Sequence, residues 1–292
     1  MLASTYFYST QDIFTMKSAI IAIIGGGHMG RSLVGGLLAD GYDGQKIWIA
    51  GPSQEKLNHL AQQFGVNTTT DNQAAVKNAD VIIFCVKPQI LQGVAAQLAG
   101  VIQKTKPLIV SVVTGVRVAA IQHWIGDQIA IVRAMPNTPA LIGCGASGLY
   151  ANKFVTQEQA NNAESILRAV GVVVWLQDEK LVDVVTAISG SGPAYFFLIM
   201  EALQQAAERL GLAPEVARLL TLQTAFGAGR MALESSEELA NLRRHVTSPG
   251  GTTEQAVRVL EEADIRGLLY KTALAAKNRA EQLANQHEAS EP

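Results

Sequence analysis

The tightest constraint on this chain is a glycine cluster, Gly25-Gly26-Gly27-His28-Met29-Gly30, set between an apolar run and a helical pattern. Residues 19–24 (AIIAII) are apolar and mostly β-branched, as in a strand buried on both faces. Leu33, Val34, Leu37 and Leu38 then recur at helical spacing. Strand, glycine turn and helix in that order predict the opening of a βαβ unit that binds a dinucleotide. Gly25 would permit the tight turn, Gly27 would let the backbone approach a pyrophosphate, and Gly30 would let helix pack on strand. Free N–H groups and the positive end of the helix dipole would face the phosphates. The alternative is a strand-to-helix turn without a ligand, and the two flanking elements favour the nucleotide.

Residues 46–50 (KIWIA) predict a second strand, ending about 20 residues past the turn, where an NAD site places an acid for the ribose diol. The sequence continues Gly51-Pro52-Ser53-Gln54 instead. The missing acid leaves room for a 2′-phosphate and favours NADP(H), with Ser53 as phosphate ligand, as cap of a helix over 54–64, or as both. Asn72 opens a short helical stretch. Residues 80–86 predict a third strand running into Lys87-Pro88, and proline turns the chain over the strand's carboxyl end, where open sheets bind ligands. There Lys87 either reaches an anion or is an ordinary solvated lysine. Further strands are expected at 108–113, before Thr114-Gly115 and a helix through Trp124, and at 128–134. The latter ends in the stiff Pro136-Asn137-Thr138-Pro139 loop, suited either to line a nicotinamide pocket or to make a structural turn. Residues 141–150 and 171–176 read as added edge strands flanking a helix at 156–170. The alternation predicts a doubly wound α/β sheet over 18–177.

From 178 to 292 the pattern is helical: 178–188, a break at Ser189-Gly190-Ser191-Gly192-Pro193, then 194–210, 214–233 and 254–262, with a frayed end from 285. Tyr195, Phe196, Leu198, Ile199 and Leu203 spread around one helix, which predicts a homodimer or a higher oligomer that covers them, packing wholly within the chain being the alternative. Residues 248–253, SPGGTT, form a glycine-rich turn opening a helix between hydroxyls, an arrangement for a carboxylate or phosphate rather than a metal. A helix cap is the plainer alternative. At 48% hydrophobic and 16% charged, the 292 residues can bury a large core. A net charge of −2 gives no reason to expect nucleic acid or an anionic membrane as partner. No apolar run reaches the ~20 residues of a membrane span. Cys85 and Cys144 lack metal or redox spacing and are expected in the core. Residues 1–17 lack the features of a secretory or mitochondrial leader and read as a tail, or as upstream of a working start at Met16, so a cytoplasmic location is expected.

Taken together, IGGGHMG (24–30), VKP (86–88), RAMPNTPA (133–140), SGSGPAY (189–195), SPGGTT (248–253) and QAVRVLE (255–261) resemble the pyrroline-5-carboxylate reductase family in order and spacing across residues 18–283. The resemblance implies a Rossmann domain followed by a helical dimerisation domain. It also implies reduction of 1-pyrroline-5-carboxylate to L-proline with NADPH, or less often NADH. Carried over by motif, Ile24, Gly25, Gly26, Gly27, His28 and Met29 hold the pyrophosphate. Ser53 and Asn72 lie near the adenosine ribose and its phosphate. Val86, Lys87, Pro88, Val112, Val113, Thr114 and Asn137 border the cofactor. Ser248, Gly250, Gly251, Thr252 and Thr253 bind the substrate carboxylate, with Thr253 on the imine nitrogen, and Glu179 matches an acidic position near the site. His28, Val113, Thr114 and His245 depart from the usual family residues. A related reductase acting on a hydroxy or oxo acid would need a lysine or histidine acid/base, and residues 189–195 offer none.

Overall fold

The computed structural model describes residues 18–288. The expected tail at 1–17 lies outside the described residues. Among the described residues eight strands form: β1 (Ile21–Ile24), β2 (Ile47–Ala50), β3 (Asn67–Thr69), β4 (Val81–Phe84), β5 (Leu108–Ser111), β6 (Ile131–Met135), β7 (Gly145–Ala151) and β8 (Gly171–Trp175). They make one sheet in the order β3-β2-β1-β4-β5-β6-β7-β8. Neighbours from β3 to β6 are parallel, β7 is antiparallel to β6, and β8 is parallel to β7. The chain winds outward from β1 to β3, then returns to lay β4 on the other side of β1. That reversal opens a crevice at the carboxyl ends of β1 and β4, where Ile24 pairs with Phe84 on one side and Ala50 on the other.

The period of two along β1 assigns its side chains to two cores. Ile21 and Ile23 pack under α1 (His28–Ala39), α2 (Gln54–Phe64) and α6 (Gln157–Arg168). Ala22 and Ile24 pack under α3 (Asn72–Val76), α4 (Pro88–Thr105) and α5 (Val118–Ile125). The sheet is doubly wound, as expected. The short β3 and the long α4 were not foreseen. Polar Asn67-Thr68-Thr69 carries no apolar signal and pairs only because β2 offers it an edge. β7 is interior rather than an edge, and residues 138–142 form a 3₁₀ turn.

Segment 181–209 corrects two expectations. Helix α7 (Leu181–Val185) does not break at 189 but widens into a π turn, Thr186–Gly190, and leads to α8 (Gly192–Arg209). Together, Leu181–Arg209 is 29 residues, long and apolar enough by length and composition alone to span a membrane. The remaining helices are α9 (Pro214–Glu234), α10 (Leu239–His245), α11 (Thr252–Glu262) and α12 (Ile265–Glu288). The described residues divide into two compact units, one running through Gly190 and resuming at Ala276, the other Ser191–Ala275. By compactness alone, the two units part after Gly190. Residues 179–190 are tied to β6 by side-chain bonds described below. Helix continues past the expected fraying point at 285, with Ala280 and Ala284 buried and Leu283 and Ala284 lying beside Gly115.

Candidate active site

The glycine turn follows β1 at the reversal point. Gly25 has φ +115°, and a Cβ there would lie 2.6 Å from the Cys85 carbonyl oxygen, so no other residue fits. Its N–H donates to the Ala50 carbonyl at 2.8 Å, and the Cys85 N–H donates to the Ile24 carbonyl at 2.8 Å, joining the three strand ends. A Cβ at Gly30 would lie 2.3 Å from the Gly25 carbonyl oxygen, which sets how closely α1 approaches the turn. Gly27, by contrast, faces open space, with no protein atom within 4 Å of a Cβ placed there. Gly27 is also the N-cap of α1, and no side chain caps it. A tight turn, a free helix N-terminus and an uncovered backbone fit a pyrophosphate, whose oxygens accept N–H bonds.

Beside the turn is a cleft of about 740 Å³, lined among others by Gly27, His28, Arg31, Lys56 and His59. Lys56 and His59 were not singled out from the sequence, although they stand three apart on one face of α2. Arg31 Nη2 donates to Gln63 Oε1 at 2.8 Å. Ser53 caps α2, its hydroxyl oxygen accepting the Lys56 N–H at 3.4 Å. Asn72 is the first residue of α3, which Asp71 caps by accepting the Gln73 N–H at 2.9 Å.

The other expected cofactor positions gather at the same sheet edge. Val86 and Lys87 follow β4, with Lys87 exposed and Pro88 starting α4. After β5, Val113 is buried in the sheet core, so its bulk points away from the crevice, whereas Val112 and Thr114 are half-buried. Asn137 uses its amide within the protein: Nδ2 donates to the Ser189 carbonyl at 3.0 Å and Oδ1 accepts the Ala146 N–H at 2.9 Å. The Asn137 amide is thus committed within the protein on both sides. Cys85 packs on the core, and burial pushes its thiol up to about 12, leaving it a neutral and poor nucleophile. Cys144, expected in the core, is exposed, because it lies in the turn between residues 138–142 and β7.

Glu179 is engaged within the protein. Its Oε1 accepts the Val118 N–H at 2.8 Å, capping α5, and pairs with Arg133 Nη1 at 3.2 Å. Arg133, 1% exposed in the middle of β6, reaches Asp183 Oδ1 with Nη2 at 3.0 Å. One guanidinium thus joins two carboxylates of segment 179–190 to the sheet, and Asn137 adds a third tie at Ser189. A fixed planar fork is what a buried arginine offers here. The sequence shows Arg133 only as a cation within an apolar strand.

On the helical unit, the 248–253 turn precedes α11. Gly250 has φ +73°, and the Gly251 N–H donates to the Ser248 carbonyl at 3.0 Å, closing a tight turn around Pro249 and Gly250. Helix geometry leaves the amides of Thr252 and Thr253 without intrahelical acceptors. Ser248 is exposed and Thr253 half-buried. His245 pairs with Glu237 at 3.6 Å. Among the described residues there is no cluster suited to a metal ion.

Residues 179–283 match the family described as pyrroline-5-carboxylate reductase dimerisation, and residues 20–115 match NADP oxidoreductase coenzyme F420-dependent. A pyrroline-5-carboxylate reductase of Pseudomonas aeruginosa is 46% identical over 271 residues, 93% of this chain and 99% of that protein. The chain belongs to the pyrroline-5-carboxylate reductase family. A solved structure of a family member from Coxiella burnetii has a TM-score of 0.89 at 50% identity, covering 91% of this chain and 98% of its own. Another, from Plasmodium falciparum and solved with NADP bound, has a TM-score of 0.82 at 27% identity, covering 92% of this chain and 99% of its own. Both parts of a family reductase are thus present in sequence order: a Rossmann-type sheet, then a helical dimerisation domain.

Proposed function

We propose that this chain reduces the C=N bond of 1-pyrroline-5-carboxylate to L-proline, the closing step of proline biosynthesis, with NADPH as the preferred donor and NADH as the lesser one. The observation that carries this reading is a pair of helix starts with glycine at the N-cap, Gly27 before α1 and Gly251 before α11, in a chain of this family. The first accepts a pyrophosphate and the second a small carboxylate. The bound dinucleotide supplies the hydride.

The chain's own residues have a modest task. Residues 24–29 hold the pyrophosphate, and Ser53 and Lys56 favour a 2′-phosphate at the start of α2. Backbone N–H groups of residues 250–253 fix the substrate carboxylate. The Thr253 hydroxyl accepts the N–H of the protonated imine and so keeps the ring carbon electrophilic. Orientation supplies most of the acceleration, since a well-placed pair of reactants gains about 7–11 kcal/mol over free encounter. No histidine is required as acid. We further assign a homodimer, with the exposed apolar face of α8 and α9 covered by a second copy rather than by lipid, and a cytoplasmic location.

The test is imine-dependent NADPH oxidation yielding proline, alongside Thr253→Ala. The variant should lose about 10²-fold in kcat/KM, as for one positioned hydrogen bond, with NADPH affinity within about twofold. Unchanged steady-state constants would remove Thr253 from the site, and absence of turnover by the parent protein would remove the reaction.

A further inference from the structure

The turn proposed to hold the substrate carboxylate already holds one. Glu254 Oε2 accepts the Gly250 N–H at 2.8 Å, from the third residue of α11 back across the turn. The Gly251 N–H is spent on Ser248, and the chain's own carboxylate takes the Gly250 N–H. We propose that Glu254 is a built-in competitor for the anion-binding turn: its side chain occupies the Gly250 N–H in the free protein, and an incoming substrate carboxylate displaces it. This rests on the assignment of residues 248–253 as the carboxylate site.

Three features make the exchange workable. The Glu254 side chain is exposed, so it can swing to solvent without leaving a buried charge behind. A Cβ built on Gly250 meets nothing within 4 Å, so the turn is approachable from outside. The Thr252 and Thr253 amides at the helix start continue to favour an anion after Glu254 has left. While it stays, its charge repels a second carboxylate; once displaced, it remains on the same turn of helix and keeps opposing the substrate. The residue therefore tunes affinity for charged imines specifically. A plain helix cap would affect stability and leave the discrimination between charged and neutral imines untouched.

The experiment compares the parent enzyme with Glu254→Gln, which keeps shape and hydrogen-bonding capacity but removes the charge. KM is measured for 1-pyrroline-5-carboxylate and for 1-pyrroline, the same ring without a carboxylate. The expected result is a KM about two- to fivefold lower for the carboxylated imine, the scale of one exposed charge interaction, with little change for 1-pyrroline and little change in kcat. An unchanged or raised KM for 1-pyrroline-5-carboxylate, or equal shifts for both rings, would overturn the proposal. Glu254→Ala, which also removes the amide, should lower the same KM in the same selective way, and it carries the test if the glutamine variant is poorly folded. Inactivity of the parent enzyme on both imines would instead refute the assigned reaction, so the two failures are separable.

Discussion

In the sheet unit Ile21, Ile23, Ile47, Ile49, Ile82 and Ile83 are all at 0% exposure, whereas in the helical unit Phe196, Phe197, Leu219 and Phe226 are 62–68% exposed. Both units are rich in large apolar residues, so composition does not separate them. Layering does. A parallel sheet with helices on both faces closes its own core, and each strand side chain has a helix above it. Helices α8 and α9 carry apolar residues around much of their circumference but bury only Gly192, Ala217 and Thr221. The first unit covers its own apolar residues, and the second leaves them for a partner to cover.

The largest effect that could break this contrast is at Phe226. A glutamate there should weaken the proposed dimer more than 10²-fold. Each copy loses roughly 1.5–3 kcal/mol of burial, and a twofold interface counts the loss twice. Sedimentation velocity across a concentration series reads it, and an unshifted dimer would show that this face is not the interface. Next in size is Arg133→Met inside the sheet unit. It strands the Asp183 carboxylate in the core and should cost about 3–5 kcal/mol in urea unfolding. In contrast to Phe226, the cost should be independent of protein concentration. Adding Asp183→Asn should return part of it, and full additivity of the two changes would mean that Arg133 and Asp183 do not act as a pair. The smallest effect sharpens the reading of the crevice. Ser53→Ala should destabilise by about 1 kcal/mol as a lost cap. If the hydroxyl also binds a 2′-phosphate, KM for NADPH should rise about threefold, one hydrogen bond's worth, while KM for NADH stays put. Equal behaviour with both donors would leave Ser53 as a cap alone.

Much of the sheet was legible because buried parallel strands are nearly pure apolar runs: AIIAII, KIWIA and DVIIFCV announce themselves. β3 was not legible, since Asn67-Thr68-Thr69 owes its strand conformation to a neighbour. The glycine turn and the 248–253 turn were readable because only glycine tolerates φ +115° at 25 and readily adopts φ +73° at 250. The posts of Glu179 and Asn137 were not, for their partners Val118, Arg133, Ser189 and Ala146 are 9 to 61 residues away in sequence. Glu254 was overlooked for the opposite reason: a glutamate in the first turn of a helix looks like ordinary dipole compensation until its hydrogen bond to Gly250 is seen.

By itself the sequence determined the doubly wound sheet, the dinucleotide turn, the glycine-rich turn at 248–253 and the apolar excess on the helices that follow the sheet. Each is written in local terms, as period, glycine placement or apolar excess. Only the tertiary structure decided that segment 179–190 is tied to the sheet through Arg133, that Val113 faces inward and that the Glu254 carboxylate rests on the 248–253 turn. Those facts depend on which side chains meet after folding, and a chain's local pattern does not encode the partners of its buried charges.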